Sequence, residues 1–199
     1  QKIGYLKMSK SKTYTVSFRR KRKGKTDYSK RLSHLKSEKT RFVMRSSTNN
    51  LIIQAVDYNA DGDKVITTVK STDLKKYGWN YSTGNIPSSY LTGLLFGNKV
   101  KEKIKEGIID LGLDSITKGT RFPAAIKGIV DSGLKVSHNE SIFPSEETIS
   151  GKRIAEFAKT LASDEEKYKK QFSKYLKDKQ KPELMAEQFE KVKTKINGE

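Results

Sequence analysis

Apolar residues enter this chain in two rhythms, and the switch between them outlines its elements. Residues 42–46 (Phe-Val-Met-Arg-Ser), 51–58 and 64–70 are short, rich in β-branched side chains and bounded by turn residues, so they predict three strands. Asn49-Asn50 and Asp61-Gly62 stand at the joints, which favours an antiparallel meander. A loop rich in Gly, Tyr and Asn covers residues 77–87, and the spacing then becomes helical. A helix is predicted over residues 88–106, with Ser88 or Ser89 as cap and Leu91, Leu94 and Leu95 facing inward. Lys99, Lys101, Lys103 and Lys105 fill its far end, where the helix dipole favours cations. The apolar run at 108–113 is too short for a helix and reads as a buried strand. Pro123 then opens a second helix through Ala125, Ile126, Ile129 and Val130, closed by Gly133.

Beyond Gly151 the chain turns helical and highly charged. Ser163 with Glu166 has the spacing of a capping box, and Tyr168, Phe172, Tyr175 and Leu176 form one stripe. Pro182 starts a last helix, with Met185, Phe189, Val192 and Ile196 along one face. Short isolated helices are marginal in water, so both need a partner surface, either the core or a neighbouring molecule. Strands alternating with helices predict an α/β fold: a mixed sheet with an antiparallel meander and packed helices. Residues 1–40 are expected to form a basic arm, 41–160 the core domain and 161–199 a charged helical C-terminal extension.

Charge sharpens that division. The formal net charge is +18. Residues 1–45 hold 16 Lys or Arg against two acids, Asp27 and Glu38, while the other 154 residues hold 25 basic and 21 acidic side chains. A segment so one-sided repels itself in water and gains free energy when a polyanion displaces its counterions, which points to nucleic acid. A solubilising surface mixes both signs. The run Phe18-Arg19-Arg20-Lys21-Arg22-Lys23-Gly24-Lys25 cannot pack into a core and reads as an extended arm ordered by its partner. A short helix is expected after Asp27, with Tyr28, Leu32 and Leu35 on one face. No apolar run approaches the roughly 18–20 residues of a membrane span, and the N-terminus carries no secretory pattern, so no membrane partner is expected. The absence of cysteine excludes disulfides and thiolate metal sites and fits a cytoplasmic setting.

Several apparent motifs fail on their spacing. Lys23-Gly24-Lys25-Thr26 ends like a phosphate-binding loop, but Arg19 stands where the earlier glycine is required. The segment from Asp57 to Asp63 matches the front of a calcium loop, yet its twelfth position is Thr68 rather than Glu, and both flanks read as strands. His34 and His138 have no ligand cluster around them, so no metal or cofactor is expected. Asn80-Tyr81-Ser82 and Asn139-Glu140-Ser141 match glycosylation sequons by chance. Gly93 and Gly97, one helical turn apart, read as a close-packing surface.

The positive signal is dense basic charge with interleaved aromatics. Arg19, Arg20, Arg22 and Arg31 suit bidentate phosphate contacts, while Lys21, Lys23, Lys25 and Lys30 act as point charges. Tyr14, Phe18 and Tyr28 are candidates either for stacking on unpaired bases or for anchoring the arm. Thr117-Lys118-Gly119-Thr120-Arg121, just before a helix, is a second candidate phosphate site through Lys118, Arg121 and backbone amides. Arg45 in the first strand joins this RNA-binding set.

These stretches also carry a resemblance. Phe18 to Tyr28, Lys76-Tyr77-Gly78-Trp79, Thr83-Gly84-Asn85 and Tyr90-Leu91-Thr92-Gly93-Leu94-Leu95 occur in order with Asp110-Leu111-Gly112-Leu113 and Thr117 to Arg121. Ala125-Ile126-Lys127-Gly128 and Asp131-Ser132-Gly133-Leu134 complete the series. Over about residues 14–155 the chain resembles the archaeal-type L18 family, the large-subunit ribosomal proteins that bind 5S rRNA and are related to the longer eukaryotic form. The resemblance implies a mixed α/β core and a non-enzymatic protein of the cytoplasmic ribosome. It implies a place in the central protuberance, joining 5S rRNA to large-subunit rRNA beside neighbouring ribosomal proteins. It implies that Arg19 to Arg31 and the Lys118–Arg121 loop face RNA. Phe122-Pro123 departs from the family pattern, where a β-branched or small residue is expected, and nothing is carried onto the tail after about residue 160. Two rival readings stay open: an RNA-processing nuclease using carboxylates such as Asp57, Asp110 and Asp131, and a general basic nucleic-acid-binding protein.

Overall fold

The computed structural model describes residues 13–198, and the start of the expected arm lies outside the described residues. The described part of the arm is more ordered than its charge suggests. α1 (Arg19–Arg22) is a single helical turn, and α2 (Tyr28–Leu35) is capped by Asp27, whose carboxylate accepts from the Ser29 and Lys30 amides at 2.9 and 3.2 Å. That cap satisfies two of the amides a helix start leaves without intrahelical partners.

Three strands follow where the alternation placed them: β1 (Arg41–Ser46), β2 (Leu51–Asp57) and β3 (Lys64–Lys70), joined as an antiparallel meander. β1 also pairs in parallel with β4 (Glu106–Asp110), and β4 in parallel with β5 (Lys135–Val136). The sheet order is therefore β3-β2-β1-β4-β5, a mixed sheet. Parallel neighbours need long crossovers, which α3 (Ile86–Val100) and α4 (Arg121–Asp131) supply. Phe42, Met44, Leu51, Ile53, Ala55 and Val69 enter one core with Leu91, Leu94, Leu95 and Phe96 of α3 and Ala125, Ile126 and Ile129 of α4. Phe42 meets Phe96 edge-on at 5.2 Å between ring centroids.

The boundaries differ from expectation for local reasons. α3 begins at Ile86 because Asn85, not Ser88 or Ser89, is its cap: Asn85 Oδ1 accepts the Ser88 amide at 2.9 Å, and both serine hydroxyls donate back to the Asn85 carbonyl. It ends at Val100, ahead of most of the lysine run, because the chain reverses there and Ile104 turns back against the core. β4 spans 106–110 rather than 108–113, since the Asp110 carboxylate accepts the Gly112 amide at 2.9 Å and bends the chain away. α4 starts at Arg121, with Phe122 and Pro123 both buried in its first turn.

The C-terminal part holds α5 (Glu146–Ile149), α6 (Lys152–Leu161), α7 (Glu165–Gln171), α8 (Ser173–Lys177) and α9 (Met185–Asn197). The Ser163–Glu166 capping box does not form. Asp164, a stronger acceptor one residue later, caps α7 through the Lys167 amide at 3.2 Å, and Ser163 Oγ turns back to the Thr160 carbonyl. The aromatic stripe is broken between α7 and α8, leaving Phe172 buried but Leu176 exposed. α9 buries Met185, Phe189, Val192 and Ile196 in the main core. Phe189 packs on Tyr90, and the Asn98 side-chain amide donates to the Ile196 carbonyl at 2.9 Å. The last helix thus finds its partner in its own chain.

Gly93 and Gly97 do mark a close approach. A Cβ on Gly93 would lie 2.1 Å from the Ala125 carbonyl oxygen of α4, and one on Gly128 would lie 2.2 Å from the Tyr90 carbonyl oxygen of α3. Each helix offers a glycine where the other presents backbone, so the two approach more closely than side chains permit. We expect Gly93→Ala to destabilise the fold by about 2–3 kcal/mol through overpacking, read by denaturant unfolding. Wild-type stability in that variant contradicts the close approach.

Candidate nucleic-acid interface

The meander leaves one face of the sheet turned from the helices. Arg41, Val43 and Arg45 of β1 and Gln54 and Val56 of β2 alternate onto it, opposite the buried Phe42, Met44, Ile53 and Ala55. Arg41 is only 4% exposed there, and a charge so buried is tolerated only when well paired. Its Nη2 donates to Asp63 Oδ2 at 2.6 Å and its Nη1 to Asp110 Oδ2 at 2.9 Å. Asp63 lies in the β2–β3 loop and Asp110 ends β4, so three parts of the sheet converge on one guanidinium.

The arm joins this network from above. Arg31 Nη2 on α2 donates to both Asp63 oxygens at 2.9 and 3.0 Å, and His34 Nδ1 lies 3.7 Å from Asp110 Oδ2. Arg41 Nε and His34 Nδ1 are buried with no hydrogen-bond partner among the described residues. Partial burial alone pushes the Asp63 carboxyl up, but hydrogen bonds and charge from Arg31 and Arg41 outweigh it and hold the carboxyl below its usual range. The reciprocal bond from Asp63 raises Arg31.

Between the arm and this face runs an open groove of about 860 Å³. Of the sequence-predicted RNA-binding residues it gathers Arg20, Lys25, Tyr28, Lys30, Arg31 and Arg45. Arg20 Nε is steered by Thr26 Oγ1 at 2.8 Å, and Arg45 Nη1 by Gln54 Oε1 at 2.9 Å. Arg19, Lys21, Arg22 and Lys23 do not line the groove but are exposed beside it. Phe18 and Tyr28 pack on each other at 4.8 Å, while Tyr14 and Phe18 keep more than half their surface in solvent.

The second predicted site lies apart. Gly119 adopts φ +72° and its amide donates to the Ile142 carbonyl at 3.0 Å, so that amide is not free for a phosphate. Arg121 Nη1 donates to the Ser47 carbonyl at 2.8 Å, clamping the β1–β2 turn, whereas Lys118 is exposed. The carboxylates of the nuclease reading are each engaged by protein groups. Asp57 accepts from Thr40 Oγ1 at 2.6 Å, Asp110 from Arg41 at 2.9 Å and Asp131 from the Tyr90 hydroxyl at 2.8 Å. Among the described residues no three potential ligands gather as a metal site, and no helix is long and apolar enough to cross a membrane.

Sequence reasoning missed Arg41, Asp63, Asp110 and His34 as one cluster. The one hint was an arginine directly before the apolar run Phe42-Val43-Met44, and its partners lie too far along the chain to be read from spacing.

The sign of the pH dependence follows from the depressed Asp63 value. Its contribution is complete above the unfolded carboxylate pKa, about 4, and is lost as pH falls through the lower folded value. A carboxyl-carbon NMR titration should therefore give Asp63 a midpoint below an ordinary aspartate, moving back up in Arg31→Ala. An ordinary or raised wild-type midpoint contradicts the pairing.

Comparison with known proteins identifies the family. The family described as ribosomal large subunit proteins 60S L5 and 50S L18 matches residues 12–107. The large ribosomal subunit protein uL18 of Korarchaeum cryptofilum is 43% identical over 192 residues, covering 96% of this chain and 98% of the relative. A match of that length takes in most of the chain, well beyond residue 107. The chain therefore belongs to the family of large-subunit ribosomal proteins 60S L5 and 50S L18: a constituent of the cytoplasmic ribosome with rRNA and ribosomal proteins as its partners, not an enzyme.

Proposed function

We propose that this protein binds 5S rRNA and attaches it to large-subunit rRNA in the central protuberance, among neighbouring ribosomal proteins. The observation that carries the reading is the concentration of exposed cations on one arm laid beside a groove. Arg19, Lys21, Arg22 and Lys23 stand exposed to solvent, and Arg20, Lys25, Lys30 and Arg45 surround the groove. In this reading residues 1–40 are the RNA-binding arm and the sheet is the platform that holds it. Phosphate neutralisation supplies most of the affinity, while the placement of the cations around the groove and stacking on Tyr28 select RNA shape and unpaired bases. Lys118 adds a separate phosphate contact beyond the Ser47 end of β1. Arg31 and Arg121, already bonded to protein acceptors, act chiefly by holding their segments in place.

A gel-shift titration with 5S rRNA at about physiological salt, competed by excess transfer RNA and duplex DNA, tests the proposal. A discrete complex that survives both competitors is expected. Equal displacement by every polyanion would leave a general nucleic-acid-binding protein in its place, and metal-dependent loss of the RNA would favour a nuclease. Replacing Arg19, Arg20, Lys21, Arg22, Lys23 and Lys25 with Gln should flatten the log–log salt dependence by roughly 0.7–0.9 for each phosphate no longer neutralised. An unchanged slope removes the arm from the interface.

A further inference from the structure

We propose that Asp63 is a positioning residue for RNA binding: paired with Arg31, it latches the basic arm onto the sheet before RNA arrives. The inference rests on the RNA-binding reading above but is carried by separate observations. Asp63 is a carboxylate lining a groove that also gathers Arg20, Lys25, Lys30, Arg31, Arg41 and Arg45, where a phosphate binder ordinarily has no use for one. Both its oxygens accept from Arg31 Nη2, and Oδ2 also accepts from the buried Arg41. Among the described residues, Arg31 is the one arm arginine whose guanidinium is held by carboxylate oxygen. The Phe18–Tyr28 ring contact folds the preceding chain back onto the start of the same helix. Thr40 Oγ1 donates to Asp57 at 2.6 Å and fixes the chain where it leaves the arm to enter β1. The arm is thus tied at its exit by Thr40 and at mid-helix by Arg31, and the exposed cations project from a segment already in place. Ordering a backbone costs conformational entropy, so a docked segment spares RNA binding that cost for the residues of α2.

The latch makes a prediction opposite in sign to simple electrostatics. Removing a carboxylate from an RNA-binding face should strengthen binding if Asp63 only repels phosphate. If Asp63 holds the arm, Asp63→Asn should weaken 5S rRNA binding by about tenfold, as loss of a charge-assisted pair implies, with an unchanged salt slope. Arg31→Ala should have the same effect, again without a change in slope, and the double variant should be no worse than either single one. Hydrogen exchange on the RNA-free protein supplies the independent readout: amides of residues 29–35 should exchange faster in both variants while those of α3 stay unchanged. Arg31→Ala leaves both Arg41 bonds intact, so it keeps the latch testable if Asp63→Asn perturbs the sheet. Tighter RNA binding by Asp63→Asn, a reduced slope in Arg31→Ala alone, or unchanged exchange in α2 would each overturn the latch. Failure of the wild-type protein to form a discrete 5S complex would instead sink the functional reading, and the exchange result would still decide the latch.

Discussion

A guanidinium buried in a protein must be neutralised where it lies, and in this chain that constraint organises everything around Arg41. The side chain sits on the first strand, 4% exposed, between carboxylates from the β2–β3 loop and the end of β4. Unpaired, the buried charge would cost several kcal/mol, so the strand, the loop and the parallel neighbour are held to one geometry. Asp63 has acceptor capacity left after meeting Arg41, and Arg31 fills it. The sheet thereby reaches out to a segment whose own composition gives it no core to join.

Two structural tasks are divided between the faces of the same sheet. The inner face is apolar and packs against α3 and α4, whose glycines let their backbones nearly touch. α9 closes the same core from the C-terminal side, so the platform is rigid and the outer face is free to carry charge. Alternation along β1 is what permits this: Phe42 and Met44 face one way, Arg41 and Arg45 the other. A shift of one residue in register would bury Arg45 and expose Phe42.

The inner half of this design was legible from the sequence because its signals are local. Strand alternation, the Asn49-Asn50 and Asp61-Gly62 joints, the Leu91, Leu94 and Leu95 spacing and the Met185 to Ile196 stripe each lie within one element or one joint. The capping residues were harder. Asn85 and Asp164 won over nearby serines because a side-chain amide oxygen or carboxylate one to four residues away is as good an acceptor or a better one. The arm's charge was plain and its order was not. What docks it is a pairing between residues 31 and 63, across 32 positions, and composition alone describes such a segment as extended. The candidate site was legible as a list of cations. Which of them are exposed and which are held depends on carboxylates that spacing does not reveal.

An arm in place before RNA binds keeps a fixed distance from the sheet in the free protein, and measuring that distance is the most direct test. The chain contains no cysteine, so Ser33→Cys with Lys135→Cys provides two unique positions for spin labels on α2 and β5. Electron–electron dipolar spectroscopy at neutral pH without RNA should give a single narrow distance distribution. A broad distribution that narrows only when 5S rRNA is added would show that RNA, and not the Asp63–Arg31 pair, orders the arm.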